Sequence, residues 1–250
     1  MSLSINADYH THTVFSHGKG TIAENVNRAK QLGLKAIAIT DHGFGQPFAG
    51  LTPKSFEEMK LQVQNLNEKD IKVLLGVEAN LITMDGEVDL TKEQEQEMDI
   101  ILCGYHLSAT KRRIAPMFNM VLPAMFGNAG ICSSAQKKRN TKAYINMIKN
   151  YKIDVVTHPG FNLLVDYIEI GKVCSDYGTY VEISTRHSVP NKQGLEELLS
   201  TSCNFIVNSD AHKIEQIGQC DYALKLVEEY KIEDRVINIG DKPLVLRSKQ

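Results

Sequence analysis

The stretch INADYHTHTVFSHGKGTIAENVNRAKQLGLKAIAITDH (5–42) decides the expected fold of the chain. It begins with INADYHT (5–11), which we interpret as a strand, and it ends with the apolar, β-branched strand KAIAITDH (35–42). Between them lies the amphipathic pattern TIAENVNRAKQLG (21–33), typical of a helix whose first turn is capped by Thr21. A strand, a helix and a second buried strand in this order predict the repeating unit of a parallel sheet.

The same alternation continues along the rest of the chain. Further strands are predicted at 72–80, 99–106, 153–160, 180–187 and 204–212, and further helices at 53–69, 137–150, 163–177, 191–200 and 214–230. Strands that are apolar throughout indicate burial on both faces of a parallel sheet. Seven such strands in 250 residues favour the α/β class and a single (β/α) barrel. An open doubly wound sheet is the alternative, and the lack of a Gly-rich dinucleotide motif after the first strand weighs against it.

One segment interrupts the alternation. Residues 107–136, LSATKRRIAPMFNMVLPAMFGNAGICSSAQ, form a long connection after the fourth predicted strand. Connections of this length in compact domains are often lids or binding loops. A subunit contact and a small helical insertion are equally compatible with it. We therefore predict a single domain over 1–250, with a loop or lid at about 107–136.

Composition narrows the function classes. The chain has 28 Lys and Arg against 30 Asp and Glu, so its formal charge of -2 indicates no general surface for nucleic acid. No apolar run approaches the roughly 20 residues of a membrane span, and no signal-peptide pattern is present. The five cysteines are scattered and never form CxxC, which is typical of a reduced, cytoplasmic protein. We expect neither a membrane nor nucleic acid as a partner, and the oligomeric state stays open.

Histidines and two carboxylates gather where the predicted strands end. Nine residues share this position, seven of them histidines: His10, His12, His17, His42, Glu78, His106, His158, Asp210 and His212. Because the carboxyl ends of parallel barrel strands open on one face, these side chains are expected to converge there. Neutral imidazoles do not attract each other and protonated ones repel, so the cluster needs a divalent cation. Nine donors exceed the roughly four that one tetrahedral ion takes, and centres of two or three ions favour phosphoester hydrolysis.

In their order along the chain, the motifs around these residues resemble those of the PHP (polymerase and histidinol phosphatase) domain family. They are DYHTHTVFSHG, AITDHG, GVEAN, GYH, THPG and NSDAH, and the resemblance covers about residues 5–240. It implies a distorted (β/α)7 barrel with the active site at the carboxyl ends of the strands. It also implies up to three divalent ions, with zinc first and manganese or iron as alternatives. The stand-alone phosphatase branch of the family is the most similar.

The resemblance further implies how three ions share the donors. His10, His12, Glu78 and Asp210 hold the first ion, Glu78 bridges to a second held by His106 and His158, and His17, His42 and His212 hold the third. Glu78 and Asp210 are thereby also predicted to be catalytic.

Together these inferences predict a metal-dependent phosphomonoesterase that acts on a small metabolite, such as histidinol phosphate, a sugar phosphate or a nucleotide. A metal-bridged hydroxide would attack phosphorus in line with the leaving alkoxide. Arg186, near the end of the sixth strand, is predicted to be catalytic by binding the phosphate, with a structural ion pair as the alternative. Asp41 is predicted to accept a hydrogen bond from an imidazole, or else to cap a loop. The role of His187, proton donor or strand cap, stays open, and Lys-Arg-Arg at 111–113 is interpreted as a solvated charge run.

Two other classes of function are compatible with the sequence. A 3'–5' exonuclease or phosphodiesterase acting on nucleic acid would be expected to carry a basic surface, which the near-neutral charge disfavours. A metal-binding domain without catalysis would be expected to have lost some of the donors, and all nine are present.

Overall fold

Seven parallel strands form the framework of the computed structural model, which describes residues 3–66, 70–107, 109 and 133–250. The strands are β1 (Ala7–Thr11), β2 (Ala36–Ile39), β3 (Lys72–Asn80), β4 (Ile100–Gly104), β5 (Val155–Val156), β6 (Tyr180–Ser184) and β7 (Phe205–Asn208). Neighbours in the sheet follow the order of the chain, and each pair is parallel. All seven predicted strands are present, although only β3 has its full predicted length.

The first and last strands meet and close the sheet into a nearly complete barrel. The backbone N–H of Tyr9 donates to Asn208 Oδ1 at 3.0 Å. Beyond the strand ends, His12 N donates to Ala211 O at 2.8 Å, and Ala211 N donates to His10 O at 3.2 Å. The predicted α/β barrel is therefore confirmed, and the open doubly wound alternative is wrong.

Helices cover the outside of the barrel. In the described residues they are α1 (Ile22–Gln31), α2 (Pro53–Asn65), α3 (Lys92–Glu97), α4 (Ser134–Asn150), α5 (Tyr167–Tyr177), α6 (Lys192–Leu199) and α7 (Asp221–Tyr230). The capping box predicted for the first helix is present, since the Thr21 hydroxyl accepts from Glu24 N and the Glu24 carboxylate accepts from Thr21 N.

Several predicted helices have different bounds in the structure, and single residues explain two of the differences. The helix predicted over 214–230 is split into a 3-10 turn at Ile214–Gln216 and α7. The break occurs because Gly218 between them has a φ of 75°, a left-handed conformation that no helix can pass through. Helix α5 begins at Tyr167 rather than 163, because the side chain of Asp166 accepts from the first backbone N–H groups and caps it.

Helix α3 and the predicted loop at 107–136 are two further regions where the structure and the predictions can be compared. The short helix α3, KEQEQE, was not expected from the sequence, since its polar residues show no apolar periodicity; the capping box of Thr91 and Gln94 starts it. The predicted loop at 107–136 lies mostly outside the described residues, including its Lys-Arg-Arg run. Its last residues, 134–136, form the first turn of α4, so the prediction extends too far.

Apolar side chains form an inner and an outer layer around the strands. The inner cluster fills the barrel near the amino ends of the strands and contains Ala7, Tyr9, Ala36, Ala38, Leu74, Ile100, Leu102, Val155, Tyr180 and Ile206. A larger outer cluster lies between strands and helices. Because side chains alternate along a strand, residues two or four beyond the inner apolar ones also face the interior. Glu78 on β3 and Glu182 on β6 are such residues, so the interior is polar toward the carboxyl ends of the strands.

The chain that follows α7 covers the amino ends of the strands. Leu244 and Leu246 pack against the inner cluster. The Tyr180 hydroxyl donates to Val245 O at 3.2 Å, and Ser248 N donates to Asp154 Oδ1 at 2.9 Å. These contacts close the barrel at the amino ends of the strands, whereas the polar residues lie at the carboxyl ends.

In the described residues, no helix combines the length and apolarity that crossing a membrane requires. Cys103, Cys174, Cys203 and Cys220 are buried free thiols.

Candidate metal centre

The nine predicted donors lie together at the carboxyl end of the barrel. His10 and Glu78 belong to β1 and β3, and the other seven follow strand ends. His10, His12, His42, Glu78, His158 and Asp210 are buried, His106 and His212 are partly buried, and His17 is exposed. The barrel thus brings residues about 200 positions apart in sequence to one face, as the predicted parallel order requires.

Glu78 lies in the middle of this cluster. Five imidazole nitrogens lie within 3.5 Å of its two oxygens: His158 Nε2 at 2.8 Å, His42 Nδ1 at 2.8 Å, His106 Nε2 at 3.2 Å, His10 Nε2 at 3.4 Å and His12 Nε2 at 3.5 Å. Oε1 faces His10, His106 and His158, whereas Oε2 faces His12 and His42. A carboxylate in this position can bridge two cations.

Asp210 faces the same imidazoles from beyond the end of β7. Its Oδ1 lies 3.3 Å from His212 Nδ1, 3.4 Å from His12 Nε2 and 3.7 Å from His10 Nε2. The backbone φ is 53° at Asp210 and 31° at His158, a region that residues other than glycine rarely adopt. Strained backbone of this kind is typical of functional sites.

The donors predicted for the third ion are less tightly grouped. The ring centroid of His17 lies 4.6 Å from that of His42 and 4.3 Å from that of His212. Donor atoms of His42 and His212 come within 4.8 Å of each other together with one of His12, a group that does not include His17. His17 is therefore near its predicted partners but does not share their burial.

Asp41 shapes the loop that carries His17. Its carboxylate accepts hydrogen bonds from Thr13 N at 2.8 Å, Thr13 Oγ1 at 2.6 Å and Ser16 Oγ at 2.5 Å. In the described part of the chain no hydrogen bond joins it to an imidazole, so the prediction of an imidazole partner is wrong. The carboxylate instead fixes the backbone between two of the donors.

Several buried polar atoms of the cluster have no hydrogen-bond partner among the described residues. They are His12 Nδ1, His42 Nδ1, His158 Nδ1, Glu78 Oε2 and Asp210 Oδ1. His42 Nδ1 and Glu78 Oε2 lie 2.8 Å apart, but their orientation is not that of a hydrogen bond. Unpaired buried polar atoms are costly. Three of them, His42 Nδ1, Glu78 Oε2 and Asp210 Oδ1, face other donors of the cluster, so a cation that binds their lone pairs would stabilise the arrangement. Imidazoles and carboxylates suit zinc, and manganese or iron also take this donor set. The residues present therefore fit a metal centre.

The histidines also set the charge of the two central carboxylates. Burial alone would raise the pKa of Glu78, but His106, His10 and His42 hold that pKa well below its usual value. Burial likewise opposes ionisation of Asp210, and the imidazoles around it, His10 first, hold its pKa well below the usual value. Both carboxylates are thus in the anionic form that metal ligation requires.

Two ring nitrogens that face away from Glu78 contact residues that the sequence reasoning missed. His106 Nδ1 lies 2.8 Å from Asn80 Oδ1, and Asn80 in turn donates to the Asp89 carboxylate at 2.5 Å. His10 Nδ1 lies 2.9 Å from Glu182 Oε1. The sequence held one signal for each residue: Glu182 is the only acidic residue in the strand YVEIS, and Asn80 lies two positions after Glu78.

Arg186 and His187 lie beside Asp210, in the turn after β6. Arg186 Nε is 3.8 Å from Asp210 Oδ2, and the side chain is 34% exposed. His187 Nε2 is 3.1 Å from the same oxygen, and its ring stacks on Phe161 with 3.8 Å between centroids. Both side chains are therefore at the rim of the cluster, with the guanidinium accessible from outside.

A barrel with this arrangement of donors corresponds to a known family. The model of the PHP domain matches residues 8–186, which include seven of the nine donors. The chain belongs to the PHP domain family.

Individual relatives match over nearly the whole chain. A protein of Caldanaerobacter subterraneus subsp. tengcongensis named as a probable phosphatase is 29% identical, with 95% of this chain and 88% of the relative covered. A probable phosphatase of Thermoanaerobacter sp. strain X514 is 30% identical, with 92% and 89% covered. Among solved structures, the histidinol phosphate phosphatase of Lactococcus lactis subsp. lactis, in complex with zinc, L-histidinol and phosphate, has a TM-score of 0.57 at 14% identity. That likeness covers 90% of this chain and 93% of the other, and it shows a shared fold.

Proposed function

We propose that this metal-dependent phosphatase hydrolyses the phosphomonoester of a small metabolite at a centre of three divalent ions. The observation that carries the proposal is the convergence of seven imidazoles and two anionic carboxylates, with Glu78 in the middle. Histidinol phosphate is the first candidate substrate, and sugar phosphates and nucleotides are the others.

The phosphatase activity rests on the family match and on the relatives. Relatives that cover nearly all of this chain are named probable phosphatases. The structural neighbour was solved with zinc, phosphate and a small alcohol, L-histidinol, which supports zinc as an ion and a small molecule as the substrate. A cytoplasmic location remains part of the proposal, and the buried free thiols agree with it.

Each ion would have its own set of donors from this chain. The proposed sets are His10, His12, Glu78 and Asp210; Glu78, His106 and His158; and His17, His42 and His212. When bound, such ions polarise the phosphoryl oxygens and lower the pKa of water so that it can attack phosphorus. Glu78 belongs to two sets because its Oε1 faces His106 and His158 of the second set, while His10 and His12 of the first set lie within 3.5 Å of its two oxygens. Its Oε2 also lies 2.8 Å from Nδ1 of His42, a member of the third set.

Arg186 is proposed to bind the phosphate, since its accessible guanidinium lies at the rim beside Asp210. Two parallel N–H groups of a guanidinium can contact two phosphate oxygens, whereas an ammonium offers a single point of charge. We therefore expect R186K to raise KM for a phosphomonoester about tenfold, one good hydrogen bond to a charged group, with a smaller change in kcat. Steady-state kinetics against R247A, a variant at the other end of the barrel, would test this; an unchanged KM would favour the structural ion pair instead.

Hydrolysis of two model esters would test the proposed function. p-Nitrophenyl phosphate and bis-p-nitrophenyl phosphate would be offered to the protein loaded with Zn²⁺ or Mn²⁺, and again after chelation. E78Q removes the central anion, while E95Q is a matched control, because Glu95 is buried on α3 and contacts Lys152 instead of an imidazole. We expect monoester hydrolysis that is lost on chelation and in E78Q and kept in E95Q.

The other outcomes would identify the alternatives. A preference for the diester would favour a phosphodiesterase or exonuclease. The metal-loaded protein would also be offered histidinol phosphate and a panel of sugar phosphates and nucleotides. If it hydrolysed none of these and neither model ester, the proposal would be contradicted and a metal-binding domain without catalysis would be favoured.

A further inference from the structure

We propose that Glu182 is a positioning residue that holds His10 and His158 in the orientation the metal centre needs. Glu182 lies within β6, whereas most donors follow the carboxyl ends of the strands. It is not in any of the proposed donor sets. The inference rests on the proposed metal centre and is independent of the substrate.

The carboxylate of Glu182 is fully buried, and its contacts come from three different strands or their ends. Oε1 lies 2.9 Å from His10 Nδ1 and accepts from Asn208 Nδ2 at 3.0 Å. Oε2 accepts from Thr157 Oγ1 at 2.5 Å and from His158 N at 2.9 Å. Four donors thus surround the two oxygens, which satisfies the buried charge. One side chain thus contacts residues of β1 and β7 and the residues that follow β5.

The first consequence concerns the tautomer of His10. A carboxylate has no proton to give, so the Nδ1 that faces it must carry the proton and donate. In the neutral ring that metal ligation requires, the lone pair is then on the other nitrogen, Nε2, which points into the cluster at 3.4 Å from Glu78 and 3.7 Å from Asp210. That is the nitrogen a metal ion requires, and a carboxylate behind a ligating imidazole also makes it a stronger donor.

The second consequence concerns the backbone of His158. Its φ of 31° is unfavourable for a residue with a side chain, and its N–H is buried. The hydrogen bond to Glu182 Oε2 satisfies that N–H in this conformation. Since His10 and His158 belong to different donor sets, one buried carboxylate supports the ligands of two ions.

The isosteric variant E182Q isolates this role. The amide keeps the volume but replaces one acceptor oxygen by an NH₂ group. If the NH₂ faces His158, two N–H donors oppose each other; if it faces His10, it favours the proton on Nε2 and removes the lone pair from the cluster. D154N is the matched control, because Asp154 is a fully buried carboxylate that accepts from Ile101 N at 2.7 Å at the opposite end of the barrel.

The experiment measures zinc affinity and the protonated nitrogen of His10. Metal-free wild type, E182Q and D154N would be titrated with Zn²⁺ against a chromophoric chelator, with circular dichroism to check folding. We expect E182Q to lose about 10- to 100-fold in zinc affinity, the usual effect of removing such a partner, while D154N keeps wild-type affinity. In ¹⁵N spectra of the zinc-loaded wild type, His10 is expected to be protonated at Nδ1.

Each contrary result has a distinct meaning. Wild-type affinity in E182Q, or an equal loss in D154N, would overturn the positioning role and leave the proposed function intact. A His10 protonated at Nε2 in the zinc-loaded wild type would overturn it too, even if E182Q did not fold. A wild type that binds no zinc, manganese or iron would overturn the metal centre and the positioning role together.

Discussion

Gly104, the last residue of β4, shows how closely the centre is packed at the scale of a single residue. A Cβ built at this position would lie 2.7 Å from Thr157 Cγ2 and 2.8 Å from His158 Cε1. Those separations are shorter than any normal carbon–carbon contact, so a side chain at 104 would push the His158 ring away from Glu78. The glycine therefore keeps the space that a donor needs.

We predict that G104A lowers zinc affinity about tenfold, since His158 Nε2 would leave its place 2.8 Å from Glu78 Oε1. Titration with Zn²⁺ against a chelator measures the change. G171A is the control, because its Cβ would also collide, 2.5 Å from Thr201 Oγ1, but on helix α5 outside the barrel. It is expected to lower thermal stability and leave zinc affinity unchanged; equal affinity in both variants would contradict the prediction.

Single residues were predictable from the sequence where their position along a strand decides their role. Glu78 and Asp210 could be assigned because a polar residue at the carboxyl end of a buried strand reaches the barrel mouth. The contact of Glu182 with His10 could not, since His10 lies within the register shift between Asp8 and Thr11, where regular alternation does not set the direction of a side chain. Periodicity contains no information on such an irregularity.

At the scale of elements, the N-terminus of α1 offers a clean test of local stabilisation. The Thr21 hydroxyl accepts from Glu24 N, and both side chains are exposed, so the loss of the hydroxyl disturbs no core packing. T21A is expected to lower the free energy of unfolding by about 1 kcal/mol, the usual value of an N-cap. T21S keeps the hydroxyl and should stay near wild type in urea denaturation at pH 7. Equal stability of T21A and wild type would show that the cap contributes nothing.

The other half of the same capping box predicts a pH dependence. Hydrogen bonds from the backbone and then the side chain of Thr21 lower the pKa of Glu24 below its ordinary 4.5. A lowered pKa in the folded state means that the stabilisation is present above about pH 4.5 and is lost as pH falls through the lower value. We expect the stability difference between wild type and E24Q in urea denaturation to be constant above about pH 4.5 and to shrink as pH falls below that value. A difference that stays constant on further acidification would contradict this.

The elements themselves were predictable to different degrees. Strands β2 and β3 followed from apolar runs, and α1 followed from its capping box and its apolar stripe. The break before α7 depends on the left-handed backbone of Gly218, and a glycine in the sequence does not reveal its own φ. Helix α3 rests on a cap alone, which is too weak a signal to indicate a helix of six residues.

At the scale of the whole molecule, the predicted centre implies that metal ions stabilise the fold. A ligand bound only by the native state at 100 times its Kd adds about 2.7 kcal/mol, which for a chain of this size corresponds to roughly 5–10 °C in Tm. We therefore expect chelation to lower Tm by that amount and zinc to restore it, measured by differential scanning calorimetry. D154N should show the same shift and H12A a much smaller one. A Tm that does not respond to chelation would contradict the prediction.

The closed barrel was predictable in class and only partly in detail. Seven buried strands alternating with helices favour a parallel barrel, whereas the contact between β1 and β7 leaves no local pattern, since Tyr9 and Asn208 are 199 positions apart. Sequence periodicity reports each element's own environment and says nothing of which edges finally meet.

That seam between β1 and β7 has a consequence for how the chain folds. Every other pair of neighbouring strands is joined by an intervening segment, but the seam must bring together residues about 200 positions apart, so it bears the largest loop-closure entropy. His10 and His12 lie on one side of it and Asp210 and His212 on the other. An ion shared between the two sides would link the first and last strands after they meet. The metal would then act mainly on the rate of opening, and hydrogen exchange of the amides along the seam should slow most when zinc is added.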